Sequence, residues 1–446
     1  MLRAMSSWPM CRRLPTQLLC VLALPASWSA LAAEAGGGAG APQTTEGRLD
    51  TLEKRLSDLE SSAVLSEPET RVKKIEVWVD SNGNEHDEAV PGSKKTVTYQ
   101  RERVFRRQTI SEKIDEAISD QESHSVTIGI DAAMVVQQVT QTKGGGPADG
   151  EAYALASADL FFSADIAQNT SLYADVVGLS GSPPDSEVGG LTLLNGYAAR
   201  LVQQNEISLR EAWIRTELFN QTLALTVGRV DQTAFFDRNA AANDETSQFV
   251  SDALVNNPML GLSSNGAGLS AVYDPHGSFN VKLGLQQSNP DATNLSESLY
   301  TLAEVGYRAR PPLLGEGNYR AWYRSDNDSG PTRTAWGVSL DQKLMDGMTL
   351  FGRYGAAEVA VGHDHFYSGG VQFDKGRAFN PEDVWGIGYA HTNLSGPESE
   401  NLAELYYSVH LSEKLRLSFH AQYVTDKDAG GKRSYLVPGL RLQAGL

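Results

Sequence analysis

Leu415-Arg416-Leu417-Ser418-Phe419-His420-Ala421-Gln422-Tyr423 alternates apolar and polar side chains without a break. A strand turns successive side chains to opposite faces, so Leu415, Leu417, Phe419, Ala421 and Tyr423 share one face and Arg416, Ser418, His420 and Gln422 the other. The final stretch repeats the pattern, with Leu436, Pro438, Leu440, Leu442, Ala444 and Leu446 set against Val437, Gly439, Arg441 and Gln443. Looser versions run through residues 279–287, 318–324, 384–391 and 403–411. Segments of about ten residues with one apolar and one polar face belong to strands that turn the first to lipid and the second to a lumen.

Turn signals divide residues 125–446 into sixteen candidate strands. They begin near Ser125, Ala152, Thr170, Ser208, Thr222, Gly266, Phe279, Tyr300, Gly317, Thr334, Met348, His365, Asp383, Asn401, Leu415 and Lys432. An even number closes an antiparallel barrel, and closure satisfies every backbone group inside a membrane without an apolar helix. The connections alternate between short turns, at 220–221, 275–278, 345–347 and 412–414, and longer loops, of which 180–207 and 231–265 stand out. A soluble sandwich would also alternate, but it does not require an apolar face of similar height on every strand. The reading is therefore all-β, a 16-stranded antiparallel transmembrane barrel over 125–446.

Residues 1–33 carry Arg3, Arg12 and Arg13, an apolar run from Leu18 to Leu24 and the small-residue end Ala30-Leu31-Ala32-Ala33, the layout of a secretory signal peptide. Cys11 and Cys20 both lie in that segment, so disulfides and thiol chemistry are excluded from the mature chain. The net charge of −17 includes those three arginines, so removal gives −17 − 3 = −20. Such a chain is a poor partner for nucleic acid or anionic lipid. Residues 34–66 read as a flexible leader and a short coiled-coil-like helix with Leu49, Leu52, Leu56 and Leu59 at spacings of three and four. Residues 67–124 read as a small charged periplasmic segment. It holds β-like runs at 74–79 and 96–105 and a capping box, Thr109 with Glu112, that opens a helix to about Ser119.

The block Leu209-Arg210-Glu211-Ala212-Trp213-Ile214, then Gly228-Arg229, then Phe236-Asp237-Arg238-Asn239-Ala240-Ala241-Ala242-Asn243-Asp244-Glu245-Thr246-Ser247-Gln248-Phe249 and Asn256-Asn257-Pro258 resembles the carbohydrate-selective porin family of the OprB type. Residues 380–389, 403–407 and 438–442 are also similar to that family. The resemblance implies a barrel of sixteen strands, a long third external loop folded inward to narrow the pore, and passage of sugars such as glucose, while residues 34–124 make a longer amino-terminal region than the porin domain needs. Residues 231–265 fall at that loop's position in the strand count made from turns.

A neutral polyol is held by polar groups on its hydroxyls and aromatic faces on its C–H surfaces, each contact weak enough to release it. Candidate contacts of this kind are Glu211, Trp213 and Arg215 on the fourth strand, Arg320 and Trp322 on the ninth and Arg353 on the eleventh. In the loop they are Phe235, Asp237, Asn239, Asn243, Asp244, Glu245 and Gln248. The bland alternative for Asn243 to Gln248 is that they anchor the loop to the wall. Arg215 and Glu217, two apart on one face, are placed to pair and to leave the constriction polar but nearly neutral.

A porin for small anions or dicarboxylates is the nearer rival, and a structural tether with a plugged barrel is the third class. An outer-membrane hydrolase built on His363-Asp364-His365 lacks a third ligand or a nucleophile at a matching spacing, so neither catalysis nor a cofactor or metal is expected. The expected partners are neutral sugars and outer-membrane lipid, with a homotrimer through the barrel or residues 49–59 left open.

Overall fold

A computed structural model of the protein describes residues 70–79, 85–86, 91, 94–103 and 126–445, apart from gaps at 145–147, 168, 200–206, 263, 288–297, 328–331, 361, 377–379 and 413. The expected signal segment, the leucine-spaced helix at 49–59 and the helix opening at Thr109 lie outside the described residues. The two charged runs form β1 (Thr70–Val79) and β3 (Lys94–Arg103), which pair antiparallel from Thr70 opposite Arg103 to Val79 opposite Lys94, with β2 (Glu85–His86) on the other edge of β1.

The strands that follow are β4 (Val126–Gln138), β5 (Thr140–Lys143), β6 (Ala152–Ala167), β7 (Thr170–Ser182), β8 (Ile207–Leu218), β9 (Leu223–Val230), β10 (Gly266–Tyr273), β11 (Phe279–Gln287) and β12 (Leu299–Ala309). They continue with β13 (Gly317–Asp326), β14 (Arg333–Met345), β15 (Met348–Glu358), β16 (His363–Phe373), β17 (Val384–Asn393), β18 (Ser399–Ser412), β19 (Leu415–Asp428) and β20 (Gly431–Gly445). Neighbours in sequence pair antiparallel, and β20 returns to β4 and β5, closing the sheet. β4 and β5 are one strand interrupted at Val139, which gives a closed barrel of 16 strands. Closure rules out the soluble sandwich. Every expected strand start lies within two residues of an observed one.

Burial follows the period-two reading. In β19, Phe419, Ala421 and Tyr423 are exposed and Ser418, His420 and Gln422 are buried; in β20, Leu436, Leu440 and Leu442 are exposed and Val437, Arg441 and Gln443 are buried. The outer face carries a band of Leu283, Leu285, Val305, Ile387, Leu405 and Leu440 between two sets of aromatics. Phe279 packs on Tyr307 and Phe373 on Trp385 toward the short turns, while Trp336 packs on Tyr354 and Tyr367 on Tyr389 toward the long loops. Amphipathic rings at both rims of an apolar band mark the two membrane interfaces. Among the described residues no helix is long and apolar enough to cross a membrane.

Candidate functional site

The loop between β9 and β10 is shaped by its own Asp and Asn side chains. Asp231 accepts from the Thr233 amide at 3.0 Å and starts a single 3-10 turn. Asn239 accepts from the Ala241 amide, Asp244 from the Thr246 amide and hydroxyl, and Asn257 from the Met259 amide. The Gln248 side chain accepts from the amides of Asn243 and Asp244 and donates to the Ala240 carbonyl. Short acidic and amide side chains that bond backbone two or three residues on build turns without a regular element. The residues between them, Phe236, Ala241, Ala242, Phe249, Leu254 and Met259, are buried in one apolar cluster with Tyr300, Leu302, Trp322, Phe351, Phe366, Leu402 and Tyr406 of the wall. The loop therefore lies inside the barrel, against the inner face of β12 to β18.

Glycines in that wall make room for it. A Cβ on Gly355 would stand 2.8 Å from the Met259 side chain, and one on Gly388 would stand 2.9 Å from Leu254.

Buried polar groups fix the loop over the same wall. Asp237, in the left-handed region at φ 52°, accepts from Trp322 Nε1 at 2.7 Å and from Arg353 Nε at 2.7 Å, and its amide donates to Glu304 at 2.7 Å. Lys282 donates to the Phe235 carbonyl, Arg324 to the Met259 carbonyl and Asn239 to the Leu340 carbonyl. Arg320 is paired with Asp341 at 2.8 Å, both almost fully buried. Glu404 accepts from the amides of Val250 and Ser251. Behind it, Ser418, His420 and Glu404 line up at 2.8 Å per contact. The order imitates a hydrolase triad, but all three are buried beneath the loop and Glu404 is engaged by loop amides, so the arrangement serves as a fastening.

A second segment also turns inward. Residues 183–199 also enter the lumen: the Gly196 amide donates to the Val250 carbonyl at 2.6 Å, and the Asp252 amide to the Leu193 carbonyl at 3.0 Å. Its far end is tied to the wall by Gln422, which donates to the Leu194 carbonyl, and by Asn195, which donates to Gln137. Asp185 organises the segment by accepting from the amides of Leu194 and Asn195. Burial pushes the Asp185 carboxyl up to about 7 despite those two donors, with Asp252 adding a smaller push in the same direction.

Between the two segments and β7 to β9 remains a cavity of about 380 Å³. Its described lining includes the carboxyl groups of Asp175, Glu211, Asp231, Asp244, Glu245 and Asp252, the amides of Asn243, Asn256 and Asn257, the Tyr173 ring, and one guanidinium, that of Arg210. Arg210 pairs with Asp231 at 3.0 Å. Arg210 and its neighbour Glu211 both face inward because a bulge opposite Asp175 and Val176 shifts the register of β8 between them. Glu211 accepts from Trp213 Nε1 at 2.9 Å, and the Trp213 ring packs on Tyr173 at 4.8 Å. Burial raises the Asp252 carboxyl to about 6, opposed by the hydrogen bond from Asn256.

The sequence-selected residues thus separate into groups. Glu211, Asn243, Asp244 and Glu245 line the cavity, and Trp213 supports Glu211 from the wall. Arg215 pairs with Glu217 at 3.0 Å, away from the cavity lining. Asp237, Asn239, Gln248, Trp322 and Arg353 are buried in the fastenings between loop and wall, with Arg320 and Phe235, both partly buried, beside them. None of these seven is among the groups that line the cavity. Among the described residues of the cavity lining, acidic side chains outnumber basic ones. Asp175, Arg210, Asp231, Asp252, Asn256 and Asn257 were not selected. Nothing in the sequence says which inward faces the loop leaves beside the cavity.

No family model matches the chain. It is 29% identical over 215 residues to an uncharacterised protein of Aquifex aeolicus, a match covering 48% of this chain and 62% of that protein. It is 27% identical over 228 residues to porin AaxA of Chlamydia pneumoniae, covering 47% of this chain and 51% of that porin. The match spans only about half the length of that porin. Among solved structures, the high-pH structure of Pseudomonas putida OprB superposes with a TM-score of 0.61 at 18% identity, covering 72% of this chain and 94% of that one. Its low-pH structure gives 0.52 at 16% identity, covering 76% and 98%. The similarity establishes a shared fold, the closed porin barrel.

Proposed function

We propose that the protein is an outer-membrane porin of a Gram-negative bacterium, through which small neutral polyols such as monosaccharides, together with small cations, diffuse in preference to anions. The observation that carries this is the cavity left by two inward segments, lined by amides, a tyrosine ring and six carboxyl groups against one guanidinium among the described residues. Among the described lining groups acidic and amide side chains predominate, and a lining of that composition disfavours an anion. Amide and carboxyl oxygens accept from sugar hydroxyls, and Tyr173 offers a face to a C–H surface. The fold resemblance to OprB and the similarity to proteins named porins support a diffusion channel, and the lining speaks against the dicarboxylate alternative. Liposomes carrying the protein test it: they are expected to swell faster with a monosaccharide than with a dicarboxylate of similar size. Faster swelling with the dicarboxylate would overturn the selectivity, and no swelling with either would overturn the channel.

A further inference from the structure

We infer that Arg353 and Arg441 are positioning residues that set the size limit of the passage, an inference that rests on the porin reading. The tip of the long loop, residues 240–248, is closed on itself: Gln248 ties Asn243, Asp244 and Ala240 together through one side chain. A piece held rigid from within leaves its placement in the lumen to whatever grips it from outside.

Two buried arginines of the wall grip it. Arg353, on β15, donates through Nη1 to the Ala242 carbonyl at 2.5 Å and the Leu254 carbonyl at 2.9 Å, through Nε to Asp237 at 2.7 Å, and through Nη2 to Asn243 at 3.3 Å. One guanidinium therefore joins the outgoing limb, the tip and the returning limb. Arg441, on β20, donates through Nη1 to the Glu245 carbonyl at 2.5 Å. Strands β16 to β19 separate the two around the closed sheet, so the tip is slung between distant points of the wall. The same tip presents Asn243, Asp244 and Glu245 to the cavity. Moving either grip swings those groups and changes the free cross-section. Lysine cannot replace Arg353, because its three donors sit on one nitrogen and cannot reach both limbs.

The test compares wild type with Arg353→Lys, Arg353→Gln, Arg441→Gln and, as a control at the rim, Arg433→Gln, each in the full-length protein. Swelling rates in liposomes are measured with mono-, di- and trisaccharides alongside single-channel conductance, and heat-resistant migration on a gel confirms a closed barrel. Arg353→Lys and Arg441→Gln are expected to raise conductance and lift the trisaccharide-to-monosaccharide ratio by on the order of threefold. Arg353→Gln should do more, and Arg433→Gln should match wild type. A purely structural role would lower heat resistance without moving the ratio. Closed-barrel Arg353→Lys and Arg441→Gln proteins with a wild-type ratio would overturn the inference while leaving the porin reading intact, even if Arg353→Gln fails to fold. A wild type that passes no solute would overturn both.

Discussion

The two sides of this barrel's inner wall carry similar residues and do different things with them. On β12 to β18 the inner face is covered: Leu302, Phe351, Phe366, Leu402 and Tyr406 pack against the loop, and Arg320 and Arg353 are paired with Asp341 and Asp237. On β7 and β8, Asp175, Arg210 and Glu211 line the cavity left beside the loop. Charged residues pointing into a lumen are therefore a weak guide to solute contact on their own. A buried ion pair under a loop fixes geometry, whereas a carboxyl group lining a cavity shapes the field that a solute crosses.

The largest effect is expected at Asp237. Asp237→Ala leaves the Arg353 guanidinium buried without its carboxylate and frees the Trp322 donor, a loss of roughly 3–5 kcal/mol from the loop-in arrangement. The expected result is a large rise in conductance from a barrel that still closes, read by bilayer recording and heat-resistant migration. Next in size is Gly388→Val. Its Cβ would stand 2.9 Å from Leu254 and 3.1 Å from Phe249, and such overpacking costs about 1–3 kcal/mol. Protease cleavage within residues 231–265 of liposome-held protein is expected to quicken, with strand pairing unchanged by infrared spectroscopy.

The cavity side is tested by charge. Asp185, held at about 7 by burial against an ordinary 3.8, favours its protonated form when residues 183–199 lie in the lumen. The inward placement is then most stable below about 4, loses stability as pH rises to about 7, and changes no further from this group above that. Conductance should rise across that window, and Asp185→Asn should flatten the rise. The smallest effect is expected from Asp252→Asn. Removing one carboxyl group of the lining should lower the cation-to-anion permeability ratio without changing the sugar rates, as measured by reversal potential and swelling.

Much of the barrel was legible because alternation and turns are local. Strand starts such as Ala152, Phe279 and Leu415 could be read from two neighbouring residues and a turn. The alternation weakened where a second apolar demand was superposed: Leu402 and Tyr406 face inward and are apolar because a loop some 150 residues upstream covers them. The distinction between Arg353 as a fastening and Glu211 as a lining group could not be read, since both sit at inward positions of period two. What separates them is the path of the loop, and a loop has no period. The inward course of residues 183–199 was hidden for the same reason: Pro183-Pro184-Asp185 announces a turn and says nothing of its direction.

The most direct test of the account is the reversal potential of the reconstituted protein across a planar bilayer with a salt gradient, recorded with and without a monosaccharide. An acid-lined passage that admits polyols predicts channel steps with a cation-selective potential and a conductance reduced by the sugar. An anion-selective potential that the sugar leaves untouched would contradict it.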